Sequence, residues 1–202
     1  EMFIRDMTRA LFGVEEKTSG KIYRFGEEVK ANSPKESIEL GMALIPEDRR
    51  KDGLCTDLSI RENISLPNLD SIKNSLGILS KVLELKISED TIKSLNVKAK
   101  DREMISKNLS GGNQQKVVLG KWLVRNPKLI LFDEPTRGID IGAKVEIYQI
   151  MNELKKKWVG VLFISSEMEE VLGMSDRILI FCDGRITGEL SREEANQENI
   201  LK

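Results

Sequence analysis

An α/β domain, built on a mostly parallel sheet with a helical subdomain inserted into it, is what this sequence predicts. Three observations point there. Leu129 to Phe132 is a continuous apolar run closed by Asp133-Glu134-Pro135, as expected of a strand buried on both faces. Val161 to Ile164 is a second such run, and between them Ile147, Ile150, Met151 and Leu154 fall on one stripe of a helix spanning Ile141 to Lys157. Strand, helix, strand in that order implies parallel pairing, because the chain must cross back over the sheet.

Other elements follow the same logic. Gly20 to Phe25, followed by Gly26-Glu27-Glu28, predicts a short strand and turn. Ser59 to Lys98 has helix-forming composition with scattered Leu and Ile and few strand signals, so it is the insertion. Ile178 to Phe181 predicts a third strand, Asp183-Gly184 a hairpin turn into Arg185 to Gly188, and Ser191 with Glu194 a capping box opening a last helix. The predicted division is one domain over 1–202, with residues 1–56 and 113–202 forming the α/β core and 57–112 the helical subdomain. No internal repeat or low-complexity tract interrupts it.

Composition narrows the chemistry. The 202 residues suffice for one sizeable core, and 32 Lys and Arg balance 33 Asp and Glu, so no net field draws the chain to nucleic acid. Cys55 and Cys182 stand far apart, outside any metal or redox spacing, which predicts a reduced, cytosolic protein. No apolar run approaches the roughly 20 residues needed to span a bilayer, and no signal-peptide profile is present at the start. The sequence contains no histidine, which excludes Ser-His-Asp catalysis, His-ligated metals and imidazole acid-base chemistry. Carboxylates, hydroxyls, amides and backbone dipoles must do the chemistry.

Two segments have the residues for it. Asn108-Leu109-Ser110-Gly111-Gly112-Asn113-Gln114-Gln115 precedes a helix containing Val117, Val118, Trp122 and Leu123 and ending near Pro127. Two glycines there leave backbone amides bare at a helix N-terminus, which attracts phosphate, although an ordinary Ser cap with a Gly turn reads the same way in isolation. The acidic pair Asp133-Glu134 then closes an apolar strand, at the edge where ligands of open α/β sheets bind. An Asp there can hold Mg2+, and the next Glu can polarise a water for attack on phosphorus; an acidic pair capping a loop is the plainer alternative.

Order and spacing, with Thr136-Arg137-Gly138-Ile139-Asp140 following, carry a resemblance. Leu109 to Asp140 resembles the signature motif, Walker B strand and D-loop of ABC ATPases, with Asn113 where most carry Gln. The resemblance implies a RecA-like P-loop NTPase core binding ATP and Mg2+. Ser110, Gly111, Gly112 and Asn113 would face the γ-phosphate of an ATP on the opposite domain, Asp133 would serve Mg2+, Glu134 would orient the attacking water, and Asp140 would lie at the dimer seam. Pro46 to Leu54, Ser110 to Lys116, Glu134 to Lys144, Ser165 to Met168 and Val171 to Arg177 resemble the second cassette of bacterial monosaccharide importers of the ribose, galactose and xylose type. By that alignment Glu47 takes the Q-loop position and Ser166 the place of the switch histidine, a hydroxyl that can donate but carries no positive charge.

The partners implied are a second ABC cassette, in the same polypeptide or as a homodimer, membrane permease subunits and, indirectly, a periplasmic or extracellular sugar-binding protein. The location implied is the cytoplasmic face of the cell membrane. A nucleoside importer cassette, and a catalytically weak cassette that completes a partner's ATP site, are the alternatives. DNA-repair ATPases share these motifs but insert long coiled coils, for which Ser59 to Lys98 is too short. No G-x-x-x-x-G-K-[ST] loop occurs in the sequence; Gly20-Lys21 and Gly120-Lys121 lack the upstream glycine. The resemblance places that loop before Arg9 to Gly13, between a strand over Glu1 to Ile4 and a helix over Asp6 to Phe12, with residues missing between Ile4 and Arg5. The isolated domain is accordingly expected to be a weak ATPase.

Overall fold

The computed structural model describes residues 2–201. Its centre is a parallel sheet of three strands, β3 (Met42–Ile45), β4 (Leu129–Asp133) and β5 (Gly160–Ile164), with β4 in the middle. Alternation along the strands sends side chains to both faces. Ala43, Ile45, Ile130 and Phe132 enter one cluster, whereas Met42 and Leu131 enter a second with Phe12. Both layers are covered, which is why β4 is an unbroken apolar run.

The larger cluster lies under α5 (Gly111–Leu123) and α6 (Ile141–Lys156), and it continues into the helical segment through Ile60, Ile64, Leu95, Val97 and Leu109. Ile147, Met151 and Leu154 of α6 are buried in it, as their spacing predicts, with Ile150 packed beside them. On the other face, α1 (Met2–Leu11) leads to Phe12, whose ring meets Trp122 edge-on at 6.1 Å.

Two antiparallel hairpins flank the sheet. β1 (Ile22–Arg24) and β2 (Glu27–Val29) are joined through Phe25 and Gly26, both at positive φ. β6 (Arg177–Cys182) and β7 (Arg185–Ser191) are joined through Asp183 and Gly184, also at positive φ, the geometry that twists with the strands. β6 pairs with β7 alone among the described residues, so the third apolar run stands beside the parallel sheet without a ladder to it. A cavity of about 470 Å³ separates β5 from β6 and is lined by Ile4, Met7, Phe163 and Phe181. The remaining helices are α2 (Pro34–Glu39), α3 (Ile60–Ser65), α4 (Lys81–Ser94), α7 (Met168–Met174) and α8 (Gln197–Leu201). Among the described residues, no helix is long and apolar enough to cross a membrane.

Two sequence expectations give way. Residues 2–11 form one continuous helix where a strand to Ile4 and a break before Arg5 are expected; Glu1 lies outside the described residues. Ile4, Met7, Thr8 and Leu11 recur at helical spacing, with Thr8 buried, so the short apolar start belongs to a helix face rather than a strand. At the other end only half of the expected capping box forms: Glu194 Oε2 accepts from the Ser191 amide at 2.9 Å and from its hydroxyl at 2.7 Å, while the Glu194 amide donates to the Ser191 carbonyl at 3.2 Å. These bonds close only one turn. The helix starts at Gln197, where the Asn196 side chain accepts from the Asn199 amide at 2.8 Å.

The helical segment opens on a true capping box, in which Ser59 and Glu62 bond each other's amides. Behind it Asn63 is buried, donating to the carbonyls of Cys55 and Ser59 and to Ser106 Oγ, all at 3.0 Å, and accepting from the Cys55 amide at 2.8 Å. That amide joins two loops to α3, so Asn63→Ala leaves several buried groups unpaired. Urea denaturation should show a loss of about 2–3 kcal/mol; a change within 0.5 kcal/mol either way, an order-of-magnitude threshold for silent substitutions, would contradict this role.

Candidate functional site

The C-terminal ends of β3, β4 and β5 deliver acidic and hydroxyl groups to one edge. Glu47 follows β3 by two residues, Asp133 ends β4 with Glu134 after it, and Ser166 follows β5 by two. Asp133 is buried, and its Oδ1 has no hydrogen-bond partner among the described residues. Burial pushes its carboxyl pKa up, opposed by Arg5 and Arg9. Arg5 is the cation nearest that oxygen, at 3.8 Å, and it pairs with Glu47 at 2.5 Å.

Glu134 is held by backbone as much as by side chain. Its φ is +48°, a left-handed conformation rare for a residue with a Cβ, and its amide donates to the Ile164 carbonyl at 3.0 Å. Ser166 Oγ donates to Glu134 Oε2 at 3.3 Å. Burial raises the Glu134 pKa, the Ser166 hydrogen bonds pull it back, and the neighbouring Asp133 charge adds to the rise. Ser166 therefore meets Glu134 by hydrogen bonding alone, as the absence of a cationic side chain there dictates.

The glycine turn lies at the start of α5. Ser110 occupies the N-cap position but makes no side-chain cap hydrogen bond; its hydroxyl instead accepts from Asn113 Nδ2 at 2.8 Å. The Gly111 and Gly112 amides thus open the helix without a capping side chain, and the plain Ser-cap reading fails. Asn113 also fixes the turn to the helical segment, accepting from the Lys98 amide at 2.7 Å.

Each glycine has a packing reason. A Cβ on Gly112 would stand 2.3 Å from the Ala143 Cβ of α6, and one on Gly111 would stand 2.7 Å from Arg49 Nη2. Asp48 caps a single π-helical turn over Arg49–Gly53 by accepting from the Arg50 and Lys51 amides, each at 3.0 Å. That turn aims Arg49 across to the carbonyls of Arg137 and Gly138, at 2.9 and 3.1 Å.

The two parts are therefore joined. The loop 134–140 runs from Glu134 to Asp140, which caps α6 by accepting from the Ala143 amide at 2.9 Å. Arg137 in that loop pairs with Glu47, and Arg49 clamps its backbone beside Gly111. Ser110, Gly138 and Asp140 are exposed together on this side. Glu47, Asp133, Glu134 and Ser166 share the sheet edge; Ser110, Gly111, Gly112, Asn113 and Asp140 form the adjoining helix-end cluster.

Among the described residues no group of three or more acidic, thiol or imidazole side chains stands ready to enclose a metal. What Asp133 and Glu47 provide is a partial set of hard oxygen donors, one of them buried and unpaired. A hard cation that brings most of its ligands with it fits such a set.

The pattern of the family described as ABC transporter matches residues 7–137. The chain belongs to the ABC transporter family. It is 49% identical over 197 residues to the ribose import ATP-binding protein of Clostridium tetani, covering 98% of this chain and 39% of that protein. It is 50% identical over 196 residues to the same-named protein of Bacillus cereus, with 97% and 39% covered, and 46% identical to that of Bacillus subtilis, with 97% and 40% covered. The chain thus spans about two fifths of the length of these curated relatives. A nucleotide-free ATP-binding cassette from an ABC transporter shares the fold with a TM-score of 0.78 at 22% identity, covering 98% of this chain and 79% of that one. A dimeric cassette in a post-hydrolysis state with ADP and Pi gives 0.77 at 20%, covering 94% and 80%. The α/β architecture with parallel strands is that of ABC cassettes, as the sequence predicts.

Several residues of this ABC cassette escape sequence reading. Arg49, Arg5 and Glu170 each act on groups tens of residues away, and neither periodicity nor spacing marks them. Glu47 and Asp140 are legible only through the resemblance.

Because Gly112 faces Ala143, Gly112→Ala should destabilise the domain by about 1–3 kcal/mol through overpacking, and Ala143→Gly in the same chain should restore about half. Thermal unfolding of the single and double variants checks this; a harmless Gly112→Ala would show that α5 and α6 do not meet here.

Proposed function

We propose that this domain is an ATP-hydrolysing cassette that powers import of a simple sugar, ribose or a related monosaccharide, through a membrane permease. The observation that carries the reading is Glu134: a carboxylate in a left-handed turn at a strand edge, touched by Ser166, next to the unpaired buried oxygen of Asp133. Ribose import is what the similar proteins are named for, and it is extended here to this chain.

Asp133 would hold the Mg2+ that arrives with ATP, aided by Glu47, a reading supported by the Arg5 guanidinium lying against both carboxylates. The metal's chemistry is to neutralise phosphate charge. Glu134 would position the attacking water and accept its proton, with its raised pKa favouring uptake. Ser166 orients Glu134 but adds no charge. Ser110, Gly111, Gly112 and Asn113 would present their helix end to the γ-phosphate of a nucleotide on a second cassette. Asp140 would lie at the seam, beside Ile141 and Val145, apolar side chains 81% and 47% exposed on the same side.

In this reading residues 57–112 form the helical subdomain, on a core of residues 1–56 and 113–202. The second cassette lies in the same polypeptide or a second copy, and the domain works at the cytoplasmic membrane face. A second reading, that the domain chiefly completes a partner's ATP site, is supported by the neutral Ser166 in place of a cation and by the free end of α5.

ATP turnover by the full-length polypeptide with its permease separates the two. Glu134→Gln should cut turnover about 100-fold while leaving nucleotide binding within a few-fold. Wild-type turnover in that variant would overturn the hydrolytic reading. A second outcome is specific to the chain alone: it should hydrolyse ATP only weakly, since its sequence contains no G-x-x-x-x-G-K-[ST] loop.

A further inference from the structure

Glu170, on α7, is 6% exposed and lies at the meeting point of four segments. A carboxylate removed from water must be paired, and this one is surrounded by donors. Thr136 Oγ1 donates at 2.7 and 2.8 Å to its two oxygens, Ser165 Oγ at 2.7 Å, Tyr148 Oη at 2.5 Å and Lys144 Nζ at 3.2 Å. Burial alone pushes the carboxyl up, but Tyr148, Ser165, Thr136 and Lys144 outweigh it and hold the group ionised below the usual carboxylate range.

The donors' positions give the cluster its meaning. Thr136 is two residues past Glu134, in the loop that continues to Gly138 and Asp140. Ser165 is the residue before Ser166, and its hydroxyl also accepts from the Glu167 amide at 3.0 Å, so both sides of Ser166 are fixed. Tyr148 and Lys144 anchor the group to α6, the helix that Asp140 caps and Gly112 packs against. One charge thus ties the loop bearing Glu134, the turn bearing Ser166 and the helix beneath the glycine turn.

We propose that Glu170 is a positioning residue that sets the 134–140 loop and the 165–167 turn in register, so that Ser166 meets Glu134 and the glycine turn of α5 moves with them. The proposal rests on the ATPase reading for its catalytic consequence, but the linkage itself does not depend on it. A buried polar network with every member satisfied behaves as a unit, and removing its central acceptor strands donors on three elements at once.

The test is a cycle in the full-length polypeptide with its permease, using Glu170→Ala, Glu170→Gln, Ser166→Ala and the double variants. Glu170→Ala should lower turnover at least 10-fold with the KM for ATP changed less than 3-fold, and Glu170→Gln, which keeps one acceptor oxygen, should lose less. In the Ser166→Ala background the further loss should shrink below 3-fold, because the path through Ser166 is already cut. Hydrogen exchange should quicken in 134–140 and 165–167 together. Equal losses in both backgrounds, or exchange that quickens in one segment only, would overturn the proposal. If Glu170→Ala does not fold, the Gln variant runs the same cycle. If Glu134→Gln leaves turnover intact, the ATPase reading fails and the exchange result alone decides the linkage.

Discussion

The structure depends on one electrostatic constraint: β4 carries a carboxylate, Asp133, out of a strand covered on both faces and leaves one oxygen buried without a hydrogen-bond partner among the described residues. Such a group is costly unless something positive answers it. In this state Arg5 comes to 3.8 Å and shares its charge with Glu47, a long contact that compensates only in part. The pKa of Asp133 rises, as burial outweighing a distant cation requires. In the proposed function this is the place where a small, hard cation would be held.

Everything near the edge is held from a distance. Glu134 takes a strained backbone stabilised by Ile164 and Ser166, from the neighbouring strand and its turn. Arg49, thrown across by the capped turn after β3, fixes the carbonyls of Arg137 and Gly138 and fills the space beside Gly111. Glu170 collects the other side of the same loop. The loop between Glu134 and Asp140 is thereby pinned at both margins. The acidic sheet edge and the glycine turn of α5 are thus linked through one loop.

How much of this was legible in the sequence follows from the range of each interaction. β4, β5 and α6 were readable because burial on both faces, or on one stripe, leaves an uninterrupted or periodic apolar pattern. The placement of Asp133 and Glu134 at a strand end, and of Gly111 and Gly112 at a helix start, was readable because an apolar run precedes the acidic pair and a periodic one follows the glycines. The start of the chain was misread: Ile4 lies on a helix face, and four residues are too few to separate the two periods. Ser191 and Glu194 carry the right chemistry for a helix start, yet their bonds close a single turn and the helix begins six residues later. The contacts of Arg49 with Arg137 and of Glu170 with Thr136 were invisible for a different reason, since they span 88 and 34 residues and only the folded sheet brings them close.

The measurement that bears most directly on the account is ATP-dependent Mn2+ binding to the full-length polypeptide, followed by the electron paramagnetic resonance signal of free Mn2+. If the unpaired oxygen of Asp133 is a ligand in waiting, Asp133→Asn should weaken one ATP-dependent Mn2+ site at least 10-fold while leaving metal-free nucleotide binding nearly unchanged. Mn2+ binding identical in the variant and the wild type would contradict the account at its centre.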